Sequence, residues 1–109
     1  MLECSWLIKA GENQVVEVGI VSMNSDSDCL QDHLSLFNGP TQADREIARI
    51  CGQAISKKFS STGPEMYIQW HNDNPSKEKQ VVFSYRVKDR KLIYKLTPPG
   101  CRVRLSNPI

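Results

Sequence analysis

The chain has 109 residues and a formal net charge of +2, a size that fits one domain with a single hydrophobic core. Its mean hydropathy of −0.42 favours a water-soluble protein of thin sheets over a thick helical bundle. No apolar run reaches the length of a membrane span, and the N-terminus lacks the basic and apolar regions of a signal peptide. The lack of such an apolar run predicts no membrane span. Because the net charge is weak and the basic residues are scattered except for a C-terminal bias, we predict no nucleic-acid partner.

The N-terminal part of the sequence predicts two β-strands. Cys4, Trp6 and Ile8 are spaced two apart, as in a strand that turns one face to a core. The run 14–23 is rich in β-branched residues, which favour a strand over a helix. A turn with a glycine at 11–13 separates the two predicted strands.

An acidic loop and a short strand follow. Asp26, Asp28 and Asp32 lie close together in sequence, where their repulsion is unfavourable unless water, backbone donors or a cation compensates it. Residues 32–37 then alternate and predict a strand that ends in the Asn-Gly-Pro turn at 38–40. The acidic loop is therefore the first candidate for a functional site.

The second half of the sequence predicts further strands. Residues 45–55 fit neither the helical nor the strand period well, and we favour a strand because Gly52 breaks a helix. We expect a polar edge strand over 57–61 and alternating strands over 65–70 and 80–87. Short strands joined by turns, with almost no helical periodicity, indicate an all-β antiparallel sandwich.

The character of the sequence changes after Asp89. Residues 90–109 are basic and contain a short alternating stretch, a Pro-Pro-Gly break and a second basic stretch. We therefore divide the chain into a sandwich over 1–89 and a tail over 90–109. The tail is interpreted either as an extra hairpin or as the start of a following module.

Four cysteines in a short chain are typical of two disulfides in an oxidising compartment, with a zinc site as the alternative. Zinc is disfavoured because the cysteines form no C-x-x-C pair and His33 and His71 form no ligand pair. Neither histidine is tied to a nucleophile by a local motif, so we predict that the chain is not an enzyme. Trp6 and Trp70 lie on the apolar faces of their strands and are predicted to be core residues.

Taken together, five motifs resemble those of the CUB domain, an extracellular jelly-roll β-sandwich. They occur in the family's order and approximate spacing, from Cys4 to about Val87. They are Cys4, Trp6 and Ile8; Cys29 and Asp32 with Leu34, Leu36, Asn38 and Gly39; Cys51-Gly52; Met66, Ile68, Trp70 and Asp73; and Val81, Phe83 and Tyr85.

The resemblance implies a disulfide between Cys29 and Cys51, because the family's second bridge matches both cysteines. In the family, an upstream cysteine pairs with the one matched here by Cys4, and an N-terminal strand accompanies it. This sequence lacks both, so the module is either truncated or completed by its tail. One hypothesis pairs Cys4 with Cys101. The alternative assigns Cys101 to a following module and pairs Cys4 with a cysteine outside this chain.

The resemblance also implies a calcium site, since many CUB domains bind calcium through one glutamate and two aspartates. The aspartates match Asp32 and Asp73, and the glutamate position matches Asn24. Calcium favours six to eight oxygen ligands with several carboxylates, so the neutral amide should weaken binding. Weak calcium binding by these three residues is expected, with Asp26 or Asp28 as a replacement for the lost carboxylate. The alternative is that the acidic residues form Asx turns.

Three functions follow from the resemblance. The first is a non-enzymatic extracellular module that recognises a protein, with calcium-held carboxylates receiving a lysine or arginine of the partner. The second is binding of a glycan or glycoprotein, as in the CUB-like seminal adhesins. The third is an accessory exosite domain of a secreted protease. All three place the domain outside the cell, either secreted or in the ectodomain of a larger protein.

Overall fold

The computed structural model describes residues 1–88, 94–95 and 104–105, and this part of the chain consists of strands and their connections. No helix occurs among the described residues, as the all-β prediction expects. Accordingly, this part contains no helix long and apolar enough to cross a membrane. The strands are β1 Leu2–Lys9, β2 Val16–Asn24, β3 Asp32–Phe37, β4 Glu46–Ile50, β5 Gln53–Ser60, β6 Glu65–Asn72, β7 Gln80–Val87, β8 Tyr94–Lys95 and β9 Arg104–Leu105.

The strands form two sheets. One has the order β4-β3-β6-β1-β8, and the other has the order β5-β2-β7-β9. The pairings are antiparallel except that between β7 and β9, which is parallel. Strands distant in sequence are neighbours, as where Trp6 of β1 lies opposite Ile68 of β6. This arrangement confirms the predicted jelly-roll β-sandwich.

The hydrophobic core lies between the two sheets and is formed by alternate residues of the strands. In β1, Cys4, Trp6 and Ile8 are all buried, which follows from their spacing of two. The Trp6 ring meets Phe83 of the other sheet edge-on, with 5.6 Å between the ring centroids. Trp70 is also buried, so the prediction that both tryptophans belong to the core is confirmed.

Residues 45–55, whose period is ambiguous in the sequence, contribute to two strands in different sheets. β4 ends at Ile50 in the first sheet, and β5 begins at Gln53 in the second. Gly52 makes the crossing with a φ of 79°, a left-handed conformation that strains residues with a Cβ atom. The region is extended as predicted, but it contributes to two strands and not to a single one. β5 also starts earlier than the edge strand expected at 57–61.

Two short strands from the C-terminal part of the chain lie along the sheet edges. Ile8 of β1 pairs with Lys95 of β8, and Phe83 of β7 pairs with Leu105 of β9. The edges formed by β1 and β7 are therefore partly covered. Cys101 lies outside the described residues, so its pairing with Cys4 and the alternative pairing both remain predictions. The interpretation of 90–109 as a hairpin or a following module also remains a prediction.

Candidate functional site

The candidate site lies at one end of the sandwich, where three connections meet. These are the acidic loop 25–31, the crossing 51–52 and the loop 73–79 that precedes β7. The strand register places Asp32 opposite Asn72, and it places Asn24 opposite Gln53 and Gln80. We call loops 25–31 and 73–79 together the loop end. The residues that the sequence predicts for the site all lie in or beside it.

The acidic loop is fastened to the crossing between β4 and β5. The disulfide between Cys29 and Cys51 is present, with 5.4 Å between the Cα atoms, which confirms that pairing. The backbone N–H of Ser25 donates to the Gly52 carbonyl at 3.0 Å, and the Gly52 N–H donates to the Asp26 carbonyl at 3.0 Å. The loop is therefore held by a covalent bond and by backbone hydrogen bonds.

Side chains within the acidic loop also fix its shape. Asp26 Oδ1 accepts a hydrogen bond from the Asp28 N–H at 2.9 Å, and Asp28 Oδ1 accepts one from the Leu30 N–H at 2.9 Å. These contacts are Asx turns, the alternative role that the sequence offers for the acidic residues. Both aspartates remain exposed, and Leu30, which directly follows the disulfide-bonded Cys29, has an exposed fraction of 83%.

Asp32 is the buried carboxylate of the site, with an exposed fraction of 0%. Its Oδ2 accepts a hydrogen bond from the Asp26 N–H at 2.7 Å and lies 3.1 Å from Lys79 Nζ. Its Oδ1 accepts a hydrogen bond from the Asp73 N–H at 3.1 Å. Burial raises the pKa of Asp32, but the hydrogen bonds from Asp26, Lys79 and Asp73 outweigh it and lower the pKa overall. The charged carboxylate therefore joins the two loops of the loop end.

Lys79 reaches Asp32 from the residue before β7, and its side chain is 19% exposed. The position of this lysine is fixed by Asn24, whose Nδ2 donates to the Glu78 carbonyl at 2.8 Å. Asn24 Oδ1 in turn accepts a hydrogen bond from Gln53 Nε2 at 3.4 Å. Asn24 therefore uses its amide to hold the backbone directly beside Lys79.

These contacts do not fit the calcium site that the resemblance implies. Both oxygens of Asp32 accept hydrogen bonds, and a lysine ammonium, itself a cation, lies against one of them. The described residues contain no cluster of three His, Cys, Asp or Glu that could hold a metal ion. Asn72 Oδ1 is buried without a hydrogen-bond partner among those residues, but it is neutral and brings no charge to balance an ion. The ligand set Asp32, Asp73 and Asn24 remains a prediction of the resemblance.

Lys79 is the site residue that the sequence analysis missed. It belongs to the run Lys77-Glu78-Lys79, which in a sequence is typical of a solvated loop. The sequence feature that could have pointed to a cation here was Asp32, the aspartate at the start of the predicted strand 32–37. A carboxylate buried at a strand end needs a cation or several hydrogen-bond donors, and a lysine at another strand end is a candidate.

The register also brings together two histidines that no local motif connects. His33 and His71 stack with 5.0 Å between ring centroids and an angle of 21° between the ring planes. His33 Nδ1 lies 2.9 Å from the Cys29 carbonyl, and His71 Nδ1 lies 2.8 Å from Glu3 Oε1. Burial lowers the pKa of His33. The two rings lie beside the loop end, on the face of the first sheet that is turned away from the core.

A two-sheet antiparallel sandwich with disulfide-fastened loops at one end defines the class of the protein as a β-sandwich module. The family model of the CUB domain matches residues 1–85, and the chain belongs to the CUB domain family. CUB domains are generally non-catalytic modules, and the CUB relatives are extracellular or ectodomain proteins.

Similar proteins include a protease and a protein named as an enhancer of one. Zinc metalloproteinase nas-39 of Caenorhabditis elegans is 31% identical over 88 residues, which cover 77% of this chain and 10% of that protein. Procollagen C-endopeptidase enhancer 1 of Rattus norvegicus is 31% identical over 102 residues, which cover 91% of this chain and 22% of that protein. Cubilin of Rattus norvegicus is 26% identical over 85 residues, which cover 76% of this chain and 2% of that protein. The chain thus spans less than a quarter of each relative.

Proposed function

We propose that this CUB domain is a non-catalytic module that recognises a protein partner outside the cell through its loop end. The family and its extracellular relatives support the general class of function. The observation that carries the specific proposal is Leu30, which is 83% exposed on a loop fastened by a disulfide. A single exposed leucine is ordinary on a protein surface. One held in a fixed position close to exposed carboxylates has the features of a contact residue.

Burial of Leu30 against a partner would contribute about 1.5–3 kcal/mol, which is substantial for one side chain. Because the disulfide and the Asx turns already order the loop, binding loses little conformational entropy. The exposed carboxylates of Asp26 and Asp28 make the surroundings of this leucine negative. The partner surface that fits is an apolar pocket bordered by lysine or arginine.

Of the two other functions, an accessory exosite in a protease is one form of protein recognition, and the names of the relatives agree with it. Glycan binding has less support, because Trp6 and Trp70 are buried and cannot stack on a sugar. We therefore place protein recognition first.

The proposal is tested with immobilised peptides in which lysine or arginine adjoins leucine or phenylalanine, each matched by a peptide with glutamate in place of the basic residue. Leu30→Ser is expected to weaken binding to the basic peptides about tenfold or more. Asp28→Asn should also weaken binding, because it removes the charge and keeps an amide oxygen for the Leu30 N–H.

Val21→Ser is the matched control, since Val21 is also exposed, at 45%, but lies within β2. It should leave binding unchanged. Equal binding to basic and acidic peptides, no binding to any basic peptide, or an equal loss in the control would contradict the proposal.

A further inference from the structure

We infer that Lys79 supplies, from within the chain, the positive charge that the resemblance assigns to calcium, so that the loop end is held together without a metal ion. This inference concerns how the two loops are joined and does not depend on the partner that they bind. It follows from three observations: the charge balance at Asp32, the amide of Asn24 and the position of Asp73.

The charge balance at Asp32 is complete within the chain. A carboxylate with an exposed fraction of 0% requires compensation for its lost hydration. The ammonium of Lys79 at 3.1 Å supplies one positive charge, and the N–H groups of Asp26 and Asp73 supply two further hydrogen bonds. A divalent ion on the same carboxylate would therefore meet an ammonium group already in contact with it.

An asparagine at position 24 is compatible with this charge balance at Asp32, whereas a glutamate would not be. The contact between Asn24 Nδ2 and the Glu78 carbonyl requires a side chain that donates a hydrogen bond. A glutamate is an acceptor when ionised and would repel that carbonyl. The amide thus removes one negative charge from the site and also holds the backbone that carries Lys79.

Asp73 contributes to the site through its backbone. Its N–H donates to Asp32 Oδ1, and its side chain is exposed. Any residue other than proline supplies that N–H, so the contact to Asp32 does not use the carboxylate of Asp73. The loop end therefore has one buried carboxylate and one partly buried ammonium group, Lys79, at its centre.

Thermal unfolding with calcium or with a chelator tests the inference. The wild-type Tm should be the same in about 5 mM calcium, a concentration that fills typical extracellular sites, and in chelator. Lys79→Gln should lower the Tm under both conditions, while Lys79→Arg should retain most of it. Lys77→Gln is the matched control, because Lys77 is an exposed lysine of the same loop.

A paired variant tests whether the lysine stands in place of an ion. Asn24→Glu combined with Lys79→Gln restores the carboxylate and removes the ammonium, so calcium should raise its Tm by about 4 °C or more. Asn24→Glu alone, with the lysine kept, should show no rise. A calcium-dependent rise in the wild type, equal losses in Lys79→Gln and Lys77→Gln, or a paired variant that does not respond to calcium would overturn the inference. If the paired variant folds only when calcium is added, that result supports the inference.

Discussion

The side-chain amide of Asn24 donates to the backbone carbonyl of Glu78 at 2.8 Å, and this contact joins the end of β2 to the residue beside Lys79. The buried Asp32 connects the same two sides of the loop end through its contacts with Lys79 and Asp73. The shape of the site therefore depends on a donor at position 24 and not only on the size of the side chain.

We expect Asn24→Asp to reduce the free energy of unfolding by about 1 kcal/mol, because the variant keeps the shape of the side chain and loses the donor. Urea unfolding at neutral pH measures the change. Asn74→Asp is the control, since Asn74 is exposed in the same loop and the substitution makes the same change of charge. A similar loss in both variants would mean that added negative charge, and not the contact with Glu78, is responsible.

The half-buried His33 predicts a pH dependence of stability. Burial lowers its pKa most, the charges of Arg49 and His71 lower it further, and the Cys29 carbonyl and Glu46 oppose the shift. Because the folded pKa lies below the unfolded value of about 6.5, the contribution of His33 to stability is present above about pH 6.5. It is lost as the pH falls through the folded pKa.

The measurement is the free energy of unfolding in urea from about pH 8 to pH 5, in the wild type and in His33→Gln. The wild type should lose more stability across this range than the variant does. Parallel curves for the two proteins would show that His33 does not cause the loss.

The Cys29–Cys51 disulfide should stabilise both the fold and the position of Leu30. Replacing both cysteines by serine should reduce the free energy of unfolding by about 3 kcal/mol, since the bridge closes a loop with a sequence separation of 22. Amide hydrogen exchange at Leu30 should become faster at the same time. Unchanged exchange there would show that the Asx turns suffice to hold the loop.

Gly52→Ala should destabilise the domain by about 1–2 kcal/mol, because its φ of 79° is unfavourable for a residue with a Cβ atom. The new Cβ has room, since the nearest atoms belong to Ser27 at 3.7 Å, so the effect comes from the backbone conformation. Gly63→Ala is the control, because its Cβ would meet no atom within 4 Å and Gly63 has no positive φ. Equal changes in thermal stability for the two variants would contradict this reasoning.

The strands could be predicted from the sequence because their signal is local. β3 and β7 begin and end at the residues that the alternation indicates, and the buried faces carry Trp6 and Trp70 as expected. The region 45–55 was harder to assign, since its residues divide between two sheets at Gly52 and no single period covers both.

The contacts of the site could not be predicted in the same way, because they depend on register between distant strands. The stacking of His33 on His71 requires that β3 lie beside β6 in one particular alignment. Lys79 likewise meets Asp32 only after both sheets have formed. The resemblance identified the residues around the site, but it did not identify which cation lies against the buried carboxylate.

The most direct test of this account is a calorimetric titration of calcium into the wild-type domain at neutral pH. With Lys79 3.1 Å from Asp32, we predict heats no larger than those of dilution up to about 5 mM calcium. Saturable binding of one ion per chain in that range, abolished by Asp32→Asn, would contradict the account.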